Sequence, residues 1–470
     1  MSNTDAPEET TTALGQGLKV RHLTMMGLGS AIGAGLFLGT GVGIATAGPA
    51  VLLSYIIAGA VVVFVMRMLG EMGAAIPASG SFSHYARLGI GEWAGFVMGW
   101  LYWFMLIMVL GAEITGASAI VNEWLPSIPQ WMIALVFVVF FAIVNLAKVS
   151  NFGEFEFWFA AIKVTVIIGF LIIGVLLVFG LLPDTDPVGT SNLFGQGGFM
   201  PNGFSGVAAG LLVVAFAFGG IEIVTIAAAE SENPERSIAL AVRSVVWRIS
   251  VFYIGAISIM VLVLPWNDPD LETSPFVSVL NLANIPGVAG FMELVVVVAL
   301  LSAFNANIYG TSRMAFSLSR RGDGPAFMAK LSSTGVPTNA VLLSVFFGFV
   351  SVMLNWLLPD DLLGILLNAV GAALLVIWIF IVISHLRLRK QLEAEGKLTI
   401  RMWLFPYLSY ATLAMLGAFV VLMLFDEDAR DQLISTAVLF AVIAALGYAN
   451  SRWRKDQHQP DCSHKRRSAR

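Results

Sequence analysis

The chain has 470 residues, of which 58% are hydrophobic and 12% charged, with a formal net charge of −4; its mean hydropathy is +0.84. So apolar a composition excludes a water-soluble globular protein and predicts a polytopic membrane protein whose solvent is the lipid bilayer, with no basic field for nucleic acid. The single cysteine, Cys462, excludes an intramolecular disulfide, and nothing suggests a metal cluster or a cofactor.

From the N-terminus, the first eighteen residues are polar and acidic (Asp5, Glu8, Glu9) and lack the basic start and cleavage site of a signal peptide. The first span is therefore expected to serve as its own insertion signal. Apolar stretches long enough to cross a bilayer lie near 23–47, 50–77, 94–121, 129–148, 156–182, 203–229, 244–265, 287–317, 338–358, 362–385, 403–425 and 432–450, an all-α protein of twelve transmembrane helices. Gly48 and Pro49 mark a very short turn between the first two. Two connections exceed what a turn needs. Residues 78–91 include an amphipathic piece expected to cover an inner vestibule, and 230–238 contain Pro234, which stops the sixth span and can open a new helix. No GxxxxGK[ST] phosphate loop occurs, so no ATP-hydrolysing activity or subunit is implied. Lys and Arg fall on alternate connections and the tail (Arg21, Arg87, Arg236, Arg320, Arg387), whereas Asp184, Asp268, Asp361 and Glu427 mark the other side. Both termini are expected in the cytoplasm of a cell with an inner (plasma) membrane.

Two spans contradict themselves. Residues 27–41 carry glycine at 27, 29, 33, 35, 39 and 41 in mid-span, where each costs about 1 kcal/mol of helix stability relative to alanine. Irregular backbone survives in hydrocarbon only where protein buries it or it lines a cavity. An unwound turn there exposes N–H groups suited to a carboxylate and carbonyls suited to an ammonium. Taken alone, such glycines also suit close helix packing. Span six repeats the feature at Phe218, Gly219 and Gly220. In a chain built of two five-helix units, the two broken spans occupy equivalent places, which points to a transporter's substrate site. The expected division is a tail at 1–22, repeats at 23–182 and 203–385, two added helices at 403–450 and a basic tail at 451–470.

The motifs at residues 29–37, 47–50, 80–82, 152–158, 198–203 and 216–230 together resemble the bacterial amino acid permeases of the amino acid-polyamine-organocation superfamily. Within it the chain is most similar to the branch of aromatic amino acid and GABA permeases, from Leu18 to about Tyr448. The resemblance implies a five-plus-five inverted repeat with two further helices, and amino acid uptake driven by protons. The substrate carboxylate is expected to meet N–H groups around Ser30, Gly33, Ala34 and Gly35, and its ammonium the carbonyls near Ala215 to Phe218. Phe216 or Phe218 would close over it, beside Gly219.

Ionisable residues inside spans are costly and mark function or a specific pair. Lys163, Glu222 and Glu113 stand out as proton-coupling candidates. Similar proton-coupled permeases hold a lysine at the place of Lys163; the alternative is a structural partner of Glu113 or Glu222. Resemblance suggests Glu222 as a proton or gating group, against a carboxylate that accepts bonds from unwound backbone. Glu113 has neighbours that also suit plain helix packing. Asn305 and Asn307 face the site or bond between helices, and Trp100, Tyr102 and Trp103 read as an interfacial belt. The expected function is proton-coupled import of neutral amino acids, aromatic ones ahead of GABA. The alternative is an exchanger of the same fold. A channel lacks its polar rings here, and a sensor its output domain.

Overall fold

The computed structural model describes residues 19–29, 32–78, 80–147, 149–228, 231, 233–268, 271, 274–358, 362–368, 370–425 and 427–458. Among these, every regular element is helical. The first span is broken as its glycines predict, into α1 (Val20–Gly29), α2 (Ala34–Phe37) and α3 (Gly39–Ala47). At Gly48 φ is +63°, a left-handed conformation that glycine adopts without strain, and the chain turns into α4 (Val51–Ala75). α5 (Ser81–Gly89) is the amphipathic piece, followed by α6 (Glu92–Trp124), α7 (Gln130–Leu146) and α8 (Val149–Val178). A short α9 (Ser191–Phe194) precedes the second broken span, α10 (Gly203–Ala217) and α11 (Ile223–Ala228).

Pro234 opens α12 (Pro234–Trp247), with the Asn233 side chain accepting from the Arg236 N–H at 3.2 Å, a side-chain cap on a proline-started helix. The helix loosens into a π-helical segment, Arg248–Gly255, that the sequence does not announce, and recovers as α13 (Ala256–Val263). Then come α14 (Pro275–Leu282), α15 (Val288–Arg320), α16 (Thr338–Leu357), α17 (Leu362–Asn368), α18 (Gly371–Ala394), α19 (Tyr407–Met423) and α20 (Glu427–His458). The single span expected at 362–385 is thus split into α17 and the start of a longer α18.

Among the described residues, eight helices are long and apolar enough to cross a membrane, and three apolar helices are shorter. The expected first span is not one of the eight in its own right, and the sixth is among the shorter ones. The breaks divide both into shorter helices. α6 and α15 form the central pair; α1 lies on α8 and α12, and α3 runs along α10. The two broken spans therefore meet in the middle of the bundle.

The amphipathic piece is more buried than a surface cover. Ser81, Phe82, Ser83, Tyr85 and Ala86 of α5 are all buried, and α5 packs on α6 and α18. The Ser81 hydroxyl lies 2.7 Å from that of Thr225 in α11, and Arg321 donates to Ser83 Oγ at 2.6 Å. Burial, reinforced by Arg321 and Arg87, holds the His84 imidazole below its usual range, so α5 does not add a third cation there. Tyr102 departs from the interfacial belt expected of it. It is fully buried with its ring 4.5 Å from Phe82, whereas Trp100 stays at the edge and donates to the Asp323 carbonyl at 2.9 Å.

Candidate functional site

The site is built where two interrupted helices cross. Gly33 is extended (φ −146°, ψ −151°) and its carbonyl starts α2, accepting from Leu36 and Phe37 N–H at 3.1 Å. The first free donor is the Ala34 N–H, which points at the Glu113 carboxylate of α6, 3.2 Å from each oxygen. A carboxylate at a half-helix N-terminus is favoured by the free N–H and by the local dipole. Glu113 therefore occupies the place at which a substrate carboxylate was expected. A Cβ on Gly33 would stand 2.5 Å from Glu113 Oε1, and one on Gly35 would stand 2.5 Å from Ala217 Cα. Gly33 makes room for the carboxylate, and Gly35 for the backbone of the second broken span.

In that span the helix ends at Ala217 and Gly220 turns the chain with φ +88°. The Ala217 carbonyl accepts from the Tyr253 hydroxyl at 3.0 Å, and that of Ala215 from the Phe218 N–H at 3.2 Å. A carbonyl oxygen has two lone pairs, so each can accept a second bond; of the two residues only Ala217 lines the cavity between the breaks. Gly33, Gly35, Glu113, Ala217, Gly219 and Asn307 line a common cavity of about 20 Å³, room for about one water molecule. It is too small to hold an amino acid. Phe218 does not line this cavity; it is buried between Tyr55 and Tyr253, with ring centroids 6.0 and 4.8 Å away. Ser30 and the side chain of Phe216 lie outside the described residues.

The intramembrane charges fall into two groups. Lys163 is buried on α8 and interacts electrostatically with Glu156 and Glu113. Glu156 is itself held by Ser302 Oγ at 3.1 Å and Asn305 Nδ2 at 2.8 Å, both from α15. Asn305 also accepts from Asn145 at 2.7 Å, so it bonds between helices, whereas Asn307 faces the cavity. In the second group Trp378 of α18 donates to Glu222 Oε1 at 2.7 Å. The fully buried Arg248, in the π-helical segment, acts on both Glu222 and Tyr253.

Family comparison fits this arrangement. The chain matches the family described as amino acid permease over residues 22–461. It belongs to that family. An aromatic amino acid transport protein, AroP, of Corynebacterium glutamicum is 61% identical over 440 residues, 93% of this chain and 95% of the relative. Gamma-aminobutyric acid permeases of Bacillus subtilis and Escherichia coli are each 44% identical, over 94% and 97% of this chain and 97% of each relative. Permeases move their substrates unchanged, so this amino acid permease is a transporter and not an enzyme.

Sequence reading missed Glu156, Arg248 and Trp378. Glu156 had a usable signal: it precedes Lys163 by seven residues, two helical turns, and so shares its face. Arg248 lies inside the apolar stretch 244–265, where any charge is costly. Trp378 had none, since a tryptophan in an apolar span is usually lipid-facing or core.

Proposed function

We propose that this permease imports neutral amino acids together with protons across the inner membrane, with both termini in the cytoplasm. Twelve crossings organised as two five-helix repeats, 23–182 and 203–385, with 403–450 added, go with that reading. The observation that carries it is the Glu113 carboxylate bonded to the Ala34 N–H at the meeting point of two broken helices. A substrate carboxylate would compete for that N-terminus. Its arrival leaves Glu113 without its donor, and a proton on Glu113 removes the repulsion between two carboxylates beside Lys163. The substrate ammonium would take the spare lone pairs of Ala215 and Ala217, so the zwitterion leaves water with both charges matched. Lys163 and Glu222 are the other proton-coupling groups of this reading.

Aromatic amino acids are proposed ahead of GABA because the 61% identical relative is named for aromatic substrates. The side chain would need more space than the present cavity of about 20 Å³ offers. Radiolabelled uptake into proteoliposomes tests the proposal. Phenylalanine, tyrosine or tryptophan should displace label better than GABA, and GABA better than arginine or lysine. Uptake should require an inward proton gradient and proceed into empty vesicles. Better displacement by arginine, or uptake only into preloaded vesicles, would overturn the import of neutral substrates.

A further inference from the structure

A groove of about 210 Å³ opens between α4, α12 and the segment leading into α19. Its walls include Val242 and Val246, its rims are Trp247 and Trp403, and two guanidinium groups, Arg67 and Arg243, face into it. Trp247 is 72% exposed, an indole on the outside of an apolar bundle, as tryptophan is placed at a membrane–water interface.

The groove is built, not merely basic. Arg67 Nε donates to the Arg401 carbonyl at 3.0 Å, and its guanidinium lies 4.7 Å above the Trp403 ring. That fixes the plane of the group while no described hydrogen bond takes its two amino groups. Arg243 has no described hydrogen bond or ion pair, and it acts on Arg67 as a like charge. The carboxylate nearest Arg67 is Glu71, which is buried and already held by Arg389 at 2.5 Å, by the Met402 N–H and by His385 at 3.3 Å. Two repelling cations beside an apolar wall at the membrane surface call for an anion that carries hydrocarbon.

We propose that this groove binds an anionic glycerophospholipid of the phosphatidylglycerol type. The phosphodiester sits between Arg67 and Arg243, the two tryptophans flank the glycerol, and an acyl chain runs down Val246. A zwitterionic lipid brings its own cation to two arginines and is disfavoured. The bound lipid bridges α4, α12 and the chain before α19.

Native mass spectrometry of the full-length purified protein, titrated with phosphatidylglycerol or with phosphatidylcholine of the same chains, tests this. The wild type should retain phosphatidylglycerol the more tightly. R243Q should weaken it roughly fivefold, the factor one interfacial arginine contributes at an anionic surface, and leave phosphatidylcholine unchanged. R236Q removes the same charge from an exposed position on the same helix and should have no effect. R67Q repeats the test should R243Q not fold. Equal binding of the two lipids, equal losses in R236Q and R243Q, or inorganic phosphate competing the lipid off at comparable concentration would each overturn the proposal.

Discussion

Two glycines two positions apart do different work. At Gly35 an added methyl would meet the Ala217 backbone, at Gly33 the end of a side chain. Gly35→Ala should overpack the crossing of the two broken helices and cost about 1–3 kcal/mol, seen as a lower thermal midpoint in detergent. Gly33 is extended, a conformation open to any residue, so Gly33→Ala strains no backbone; its cost is the bond it displaces, about 1.5–3 kcal/mol, and it should lose transport as Glu113 is pushed off Ala34. A stable, fully active Gly35→Ala would show that the crossing has slack. Glu113→Gln keeps the shape and removes the charge that the Ala34 N–H prefers. Losing a charge-assisted bond of about 1.5–3 kcal/mol should leave substrate binding intact or tighter, since the competitor for the N-terminus is weakened. Uptake should lose its dependence on the proton gradient. Binding by calorimetry and uptake at two external pH values separate the effects; gradient-driven accumulation by Glu113→Gln would remove this residue from coupling.

At the scale of elements, one contact between α5 and the second broken span is small and specific. The Ser81 hydroxyl at the start of α5 meets Thr225 in the second half of the second broken span. If α11 must part from α5 to release substrate, a covalent link there should trap the closed state. In a Cys462→Ser background, Ser81→Cys with Thr225→Cys should bind substrate when oxidised yet fail to accumulate it, and reductant should restore uptake. Unimpaired uptake by the fully cross-linked protein would show that the exit lies elsewhere. The interruption of α1 to α3 and of α10 to α11 was legible in the sequence because glycine inside hydrocarbon is locally unfavourable. The π-helical turn at Arg248 was not, since the run from Trp247 to Ile257 holds a single glycine, Gly255, with no cluster like those of the two broken spans; a buried guanidinium and a Tyr253 hydroxyl reaching the Ala217 carbonyl are contacts with other helices.

For the whole molecule, coupling requires that a proton change the relative energy of two arrangements of the bundle. In the proposed coupling that group is Lys163: it interacts with Glu113, which is bonded to α2, and with Glu156, which is bonded to Ser302 and Asn305 of α15. Lys163→Met preserves bulk and removes the titratable amine that the proposed coupling needs. Such a protein should fold, lose uptake driven by a pH gradient together with the accompanying proton influx, and retain only downhill exchange that no longer varies with pH. Normal proton flux with accumulation in Lys163→Met would make the lysine structural and turn attention to Glu222 and its partner Trp378. The sequence alone determined that this is an all-helical membrane protein, that its first and sixth spans break, and that charges at 113, 163 and 222 lie inside it. Each of these follows from local rules of hydropathy, glycine cost and charge burial. Only the tertiary structure decided that the two breaks share one small cavity, that Glu113 rather than empty space faces the Ala34 N–H, and that Phe218 packs on Tyr55 and Tyr253. Those are distances between residues far apart in the chain, and the packing of one helix on another fixes them.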